Sequence, residues 1–474
     1  MKPIKAIDAA FLQLETDATP MHVGALFVLE PRTAQDGRTF FRRFKREISR
    51  CLGRSEIFTR RVATLPFRLA NPIWVTAADV DLDYHVRRTV LPEPGTQHQL
   101  EECVADLHTP RMDPLRPLWE LHVIEGLQGG RLALYIKTHH AGLDGASAQV
   151  FLMSFVDAGR PAASGARRKA PAPPPGEEPT TRELLAAGFR HQAGQLAQLP
   201  ALASRLGGSG IASAGNLRAA LASLTSGGPP TPHTPLNVAI TGARSFASVE
   251  CNLAHVKAIA RAHEATVNDV VMAACAGALR RWLVLHEALP EQPLKSAVPV
   301  STRETGNTDH RIQVSFMSVN LHTDIESAHA RLAAIHRSAL EAKNTAARVK
   351  ALMPEDLPSL GLPWLLGGLA RMMTRPEVID RLPLPTNIII SNVAGPPEPL
   401  FVAGARAVTY SPVSIPYHGC ALNITVYSYD GKLFFGLTGA RNALPDLRDL
   451  GDGVRTEIDL LSKPQRKSRS RKRR

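Results

Sequence analysis

Tyr135-Ile136-Lys137-Thr138-His139-His140-Ala141-Gly142-Leu143-Asp144-Gly145 is the stretch whose reading decides the fold. Just before and within it, Leu132, Leu134 and Ile136 alternate with Ala133, Tyr135 and Lys137, the period of a half-buried strand. From Gly145 to Val156 the chain is rich in Ala, Leu, Met and Phe with no breaker, which predicts a buried helix. The two histidines therefore stand where a strand gives way to a turn. Adjacent side chains of an extended segment point to opposite faces. One of the pair can face a cavity, and the other then faces protein.

Upstream, Pro117-Leu118-Trp119 opens an alternating run that reaches Leu127, and Gln128-Gly129-Gly130-Arg131 supplies a turn. Residues 119–139 read as a hairpin that delivers His140 at its exit. On general burial grounds Trp119 is expected in the core more than on the wall of a site. Phe40, Phe41, Phe44 and Ile48 are spaced to make one apolar face of a helix over 38–51. Trp74 to Val90 is strand-like, with Asp79, Asp81 and Asp83 alternating. A calcium loop would need a central Gly and a distal Glu, which are missing. These carboxylates are expected on the solvent face of an edge segment.

The second half carries its own punctuation. Pro235-Leu236-Asn237 opens it, and Thr266-Val267-Asn268-Asp269 precedes an apolar helix from Val270 to His286. Thr followed three residues later by Asp resembles a capping box, which gives Asp269 a structural reading. Ser296 to Val300 reads as a strand, and Gly361 to Met373 is apolar but too short to span a bilayer. A strand over 386–393 ends in Ser391-Asn392-Val393-Ala394-Gly395-Pro396, and Asp430-Gly431 joins two strands as a hairpin.

With 474 residues, two domains are the natural expectation. The chain divides into residues 1–157, with the His-His stretch; 158–234, a Pro/Gly/Ala-rich crossover with weak helices; 235–462; and 463–474, a basic tail expected to be disordered. The five cysteines are scattered without metal or redox spacing, which fits a reduced cytosolic compartment. Neither a signal peptide nor a spanning segment is visible. Net charge is +13, but the last twelve residues hold eight Lys/Arg, leaving +5 for the rest. Such an arm is usually solvated; its functional reading is attraction to an anionic membrane or lipid-droplet surface. Nothing else supports nucleic-acid binding.

The His-His-three residues-Asp-Gly pattern at a strand end resembles the motif of the coenzyme A-dependent acyltransferase superfamily, which holds chloramphenicol acetyltransferase, plant BAHD acyltransferases and peptide-synthetase condensation domains. The segment Pro20 to Gly24, the Pro117-Leu118-Trp119, Pro235-Leu236-Asn237, Asn268-Asp269 and Ser391-Asn392-Val393 matches, and the 299–303 turn narrow the resemblance to the bacterial wax ester synthase/diacylglycerol acyltransferase family over most of residues 3–460. Ala394 stands where that family often has Pro. The resemblance implies a mixed α/β (α+β) fold of two chloramphenicol-acetyltransferase-like subdomains, each a mixed sheet with packed helices, with an active-site tunnel between them.

It also implies roles. His140 would be the general base and His139 would point into protein. Asp144 would shape the loop, in line with its other reading as a helix N-cap. Gly145 allows close backbone approach, and an amide near it, or Asn268, would stabilise the oxyanion. Pro117, Leu118, Trp119, Asp269, Ser391 and Asn392 are carried over as candidate substrate-binding positions. The implied reaction passes a long-chain acyl group from acyl-CoA, as co-substrate, to diacylglycerol or a long-chain alcohol, with no covalent intermediate and no further cofactor. Adjacent histidines also occur in metal sites, but no further ligands stand at matched spacing, so no metal is expected. Two other readings stay open: an acyltransferase or condensation enzyme taking its acyl group from a carrier protein, and a non-catalytic lipid-binding homologue. The Pro-Leu-Trp and Ser-Asn-Val matches argue against the first, and intact His140 and Asp144 against the second.

Overall fold

A computed structural model of the chain describes residues 2–4, 6–64, 71–143, 145–159, 170–171, 179–197, 231–301, 314–352, 376–379 and 384–464. Asp144, residues 198–230 of the crossover, Thr302-Arg303, the apolar 361–373 segment and the tail beyond 464 lie outside them. In the first half, the elements are β1 (Lys2–Pro3), α1 (Ala6–Leu14), β2 (His22–Glu30), α2 (Ala34–Cys51), β3 (Arg60–Ala63), β4 (Ile73–Thr76), β5 (Val86–Val90), α3 (Gln97–His108), β6 (Trp119–Glu125), β7 (Leu132–His139), α4 (Gly145–Met153), β8 (Val156–Ala158) and α5 (Thr181–Ala197). The second half follows with β9 (Arg244–Asn252), α6 (Leu253–Ala262), α7 (Val267–Leu285), β10 (Lys295–Ser301), β11 (Val314–Asn320), α8 (Ala328–Leu352), β12 (Ile388–Ala394), β13 (Leu400–Val402), β14 (Ala405–Val413), β15 (Leu422–Tyr429), β16 (Lys432–Ala440) and α9 (Leu447–Ser462).

The predicted hairpin is β6–β7, in antiparallel register with Trp119 opposite Thr138 and Ile124 opposite Ala133. On its other edge β7 pairs with β2, which sets His22 opposite His139. Gly24 on β2 is needed there: a Cβ would stand 2.6 Å from the Tyr135 ring. The full sheet runs β5-β6-β7-β2-β14-β13-β8. It mixes a parallel pair, β5–β6, with antiparallel pairs. Phe40, Phe44 and Ile48 of α2 bury as their spacing predicts, in one cluster with Phe58, Trp119, Phe151 and Phe155. Burial of one such side chain is worth about 1.5–3 kcal/mol, so this aromatic cluster anchors the first sheet.

The second sheet runs β11-β10-β12-β15-β16-β9 and is also mixed, parallel at β10–β12–β15. Asp430-Gly431 closes the β15–β16 hairpin as expected, with Tyr429 opposite Lys432. The helix α7 begins with the predicted capping box: Asp269 N–H donates to Thr266 Oγ1 at 3.2 Å, and Thr266 N–H donates to Asp269 Oδ2 at 2.8 Å. Behind it, Glu457 of α9 takes Arg331 at 2.6 Å and Arg281 at 3.1 Å. Gly277 makes room for that carboxylate, since a Cβ there would come within 2.2 Å of it.

Two expectations change. Asp79, Asp81 and Asp83 do not alternate along a strand: β4 stops at Thr76, and Asp81 caps a one-turn helix, Leu82–His85, accepting from Asp83 N–H at 3.0 Å and Tyr84 N–H at 3.2 Å. A short side chain that accepts from the amides after it favours a helix start over a strand. The helix expected over 145–156 ends at Met153, and Val156 begins β8.

The division of the chain into halves hides one crossing. β13 and β14 come from the second half, yet β14 pairs with β2 and β13 with β8, completing the first sheet. β14 also presses on β16, where a Cβ on Gly436 would stand 1.7 Å from Pro412 O. β14 and β16, interior strands of the two sheets, thereby pack one sheet against the other.

Candidate active site

His139 is the last residue of β7, and His140 opens a single 3₁₀ turn, His140–Gly142. Main-chain bonds from several elements hold that turn. His139 N–H donates to Leu118 O at 3.1 Å, His140 N–H to Met21 O at 2.9 Å, and Leu143 N–H to His140 O at 3.1 Å. Arg60 of β3 donates through Nη2 to Gly142 O at 2.6 Å, while its guanidinium lies 4.6 Å from the Trp74 ring centroid. Arg60 also lines a cavity of about 270 Å³ with Ser55, Thr59, Trp74 and Thr76.

The two imidazoles have different surroundings, as the alternation of a strand requires. His139 is buried; its Nδ1 accepts from Ala141 N–H at 3.1 Å, and its Nε2 lies 3.5 Å from Glu15 Oε1. An acceptor Nδ1 places the proton on Nε2, facing the carboxylate. Glu15 in turn accepts from Met21 N–H at 3.1 Å and from Arg111 at 3.1 Å. Burial works to raise the Glu15 carboxyl, but His139, the Met21 amide and Arg111 outweigh it and hold it below its usual value.

His140 is half-buried and lies flat on Phe11, with ring centroids 4.0 Å apart and planes at 20°. Its Nδ1 is buried without a hydrogen-bond partner among the described residues. Burial, reinforced by the neighbouring His139, pushes its pKa down to about 4. At neutral pH it is an uncharged imidazole, able to take a proton. Phe11 belongs to α1 and Glu15 is the first residue beyond it, its N–H donating to Phe11 O at 3.2 Å, so the end of α1 serves both histidines.

Behind them a polar layer crosses the sheet. Lys137 donates to Leu107 O at 3.0 Å and Pro110 O at 2.5 Å, and burial lowers its pKa to about 8. His108 Nε2 donates to Ser414 O at 3.0 Å and its Nδ1 meets Tyr135 OH at 2.5 Å. His22 Nε2 bonds His108 O.

The structure sorts the remaining candidates. Gly145 is the first residue of α4, directly beyond the turn, where helix amides lack partners in their own helix. Leu118 and Trp119 sit in the core, with Trp119 Nε1 donating to Phe58 O at 3.1 Å and its ring stacked on His85. Pro117-Leu118-Trp119 acts on the site through Leu118 O, which anchors His139. Asp269 is occupied by its capping box and by His336 Nδ1 at 2.8 Å, and is 2% exposed. Among the described residues no hydrogen bond or ion pair joins Asn268 or Asp269 to His140. Ser391 and Asn392 are half-buried on β12, opposite Thr425 and Val426 of β15. Among the described residues no group of three or more His, Cys, Asp or Glu is placed to hold a metal. Phe11, Glu15 and Arg60 were not singled out by the sequence, and Met21 only as part of the Pro20–Gly24 segment; an aromatic and an acid four apart at the end of a short helix carry no signature until β2 is paired with β7.

Two mixed sheets locked together, with a His-His turn at the end of a central strand, define the class: the two-subdomain fold of the coenzyme A-dependent acyltransferases. The first condensation domain of the calcium-dependent antibiotic synthetase has the same fold, with a TM-score of 0.54 at 17% identity over 98% of this chain and 96% of its own. Residues 4–271 match the wax ester synthase/diacylglycerol acyltransferase catalytic domain and residues 312–462 match the C-terminal domain, and the chain belongs to that family. The wax ester synthase/diacylglycerol acyltransferase from Marinobacter aquaeolei VT8 superposes with a TM-score of 0.68 at 32% identity, covering 97% of this chain and 98% of its own. A Mycobacterium tuberculosis H37Rv chain, whose name places it among the diacylglycerol O-acyltransferases, is 37% identical over 461 residues, covering 96% of this chain and 98% of its own.

Proposed function

We propose that this chain transfers a long-chain acyl group from acyl-coenzyme A to the hydroxyl of diacylglycerol or of a long-chain alcohol, in a tunnel between its halves, with His140 as general base. The carrying observation is the state of His140: an imidazole kept neutral by burial, with its Nδ1 unpartnered among the described residues, on a turn braced by Met21, Leu118 and Arg60. Membership of the family supplies the substrate class.

An aliphatic hydroxyl is too weak an acid to ionise first, so its proton passes to His140 Nε2 as its oxygen attacks the thioester carbonyl. The new C–O bond gives a tetrahedral oxyanion. When the C–S bond breaks, the imidazolium returns the proton to the departing sulfur, releasing the ester and free thiol. The developing negative charge beside the ring stabilises the imidazolium that burial disfavours. Amides at the start of α4, next to Gly145, are candidates for the oxyanion, with Asn268 the second candidate. His139, facing Glu15 and accepting from Ala141 N–H, keeps the turn in register. Asp144 shapes the same loop in this reading.

The test is thiol release from palmitoyl-coenzyme A by purified protein with diacylglycerol, with hexadecanol and without acceptor, repeated with His140→Ala. Acceptor-dependent release that vanishes in the variant is expected, and the better acceptor names the product. Release that persists in His140→Ala, or none with either acceptor from folded protein, would overturn the proposal. Among the described residues no helix is long and apolar enough to cross a membrane. Within the same reading, the Lys/Arg-rich tail carries the protein to its lipid substrates. Deleting Lys463–Arg474 should weaken binding to anionic vesicles at low salt.

A further inference from the structure

Arg244 opens β9 in the second half and is 1% exposed. Its guanidinium donates to main-chain carbonyls on both sides of the interface. Nη1 reaches Thr241 O at 2.6 Å and Gly242 O at 3.0 Å within its own loop, and Nη2 reaches Ala18 O at 2.7 Å in the first half. Its amide adds a bond to Thr109 Oγ1 at 3.3 Å. A buried charge of this kind is stable only while these acceptors stay in place.

The loop that Arg244 grips is the one that builds the histidine site. Residues 15–21 form a closed brace: Thr16 and Thr19 exchange main-chain bonds at 3.3 and 3.1 Å, and Glu15 closes the ends on Met21 N–H. Met21 O then receives His140 N–H, and Glu15 faces His139. Gly242 lies against the same loop, where a Cβ would come 2.8 Å from Asp17 O. A second fastening lies farther along the interface, where Ser248 N–H and hydroxyl both donate to Glu101 Oε1 at 3.0 Å. That contact touches α3 and β9 but not the 15–21 loop.

We propose that Arg244 is a positioning residue for the acyl transfer assigned above, through which the second half of the chain sets the histidine turn of the first. The proposal rests on that reading for its kinetic consequence and on geometry alone for its structural one. Because Arg244 and the histidines belong to different halves, the site is complete only when the halves are docked. Parting them releases Ala18 and with it the carbonyl and carboxylate that hold His140 and His139.

The experiment compares the full-length protein with Arg244→Ala, Arg244→Lys, Gly242→Ala and Ser248→Ala. Amide hydrogen exchange is read by mass spectrometry over residues 136–143, alongside kcat and KM for palmitoyl-coenzyme A. Arg244→Ala and Gly242→Ala should speed exchange at that segment. Both should lower kcat about tenfold or more while leaving KM within about threefold, since a small displacement of a catalytic group costs rate more than binding. Arg244→Lys should recover part of both losses. Ser248→Ala should leave segment exchange and kcat as in the parent. Wild-type exchange in both Arg244→Ala and Gly242→Ala would overturn the proposal. So would an equal loss in Ser248→Ala, which would make Arg244 one general fastening among several. If Arg244→Ala does not fold, Gly242→Ala, which displaces the loop without removing the guanidinium, decides the question. If the parent shows no transferase activity, the acyl-transfer reading fails while the exchange comparison still decides the coupling.

Discussion

The imidazole of His140 rests on the ring of Phe11, with centroids 4.0 Å apart and planes at 20°. This contact fixes the plane of the proposed base and shields one of its faces from water. Aromatic pairs of this kind are worth about 0.5–1.5 kcal/mol beyond their buried area. Phe11→Ala should therefore free the ring to rotate and admit water. We expect kcat to fall about tenfold, by the upper end of that range, with the protein still folded by circular dichroism. Phe11→Tyr should keep most of the activity. Unchanged kcat in Phe11→Ala would show that the stacking does not position the base.

The pH profile of the reaction follows from the direction of the His140 shift. Burial lowers its pKa from 6.5 to about 4, so the base remains unprotonated as pH falls through the range where an ordinary histidine would charge. The acid limb of kcat/KM, which reports the free protein, should lie near pH 4 to 5 and not near 6.5. In Phe11→Ala, where water reaches the ring, the limb should move upward. A limb at 6.5 in the parent protein would mean that His140 is solvated in the working state or is not the base.

How much of this was legible in the sequence depends on the range of the interactions. The hairpin that ends at His139 declares itself by alternation and by Gly129-Gly130, because strand period and turn chemistry are local. The capping box of Thr266 and Asp269 is likewise local, and the structure forms both of its bonds. β14 is different. Its alternation says which face is apolar but not which strand it joins, and its partner β2 lies some 380 residues away, as the bond from Val28 N–H to Thr409 Oγ1 illustrates. Phe11 and Glu15 escape for the same reason: their i, i+4 spacing acquires a purpose only once Met21 is laid beside His140. Asp81 shows the reverse failure, where a two-residue alternation concealed a local cap.

Glu15 holds the proton of His139 on the nitrogen that faces it, at 3.5 Å, and is itself held by Arg111. Glu15→Gln keeps the shape and an acceptor for the Met21 amide but removes the charge. Arg111 would retain only Asp17, and His139 would lose the preference for its present tautomer. Losing the charge-assisted hydrogen bond from Arg111 and the carboxylate that faces His139 costs about 1.5–3 kcal/mol, so kcat/KM should fall roughly ten- to a hundredfold. Glu15→Ala, which also frees the Met21 amide, should fall further. Parental kcat/KM in Glu15→Gln would limit Glu15 to a packing role.

The buried histidines make stability depend on pH in a definite direction. Burial pushes His22 and His108 well below the ordinary value, and lowers His85, His122 and His140 as well. In each case the unfolded chain takes up a proton near pH 6.5 while the folded chain refuses it until a lower pH. The unfolded state thus binds more protons, and stability rises with pH across that window. It is full above about 6.5 and is lost as pH falls toward the folded pKa. For His140 alone, with a folded pKa of about 4, the loss between pH 7 and pH 5 is on the order of 2 kcal/mol. Glu15 and Glu120, whose carboxyls are also held low, titrate below this window and add their own losses only at more acid pH. The midpoint of thermal unfolding should therefore drop steadily from pH 7 to pH 5, well before the carboxylates are reached. His108→Gln should flatten the slope, since an amide can take the place of the ring without a proton to gain. A midpoint that is constant or higher at pH 5 would mean that these rings are not buried in the neutral form.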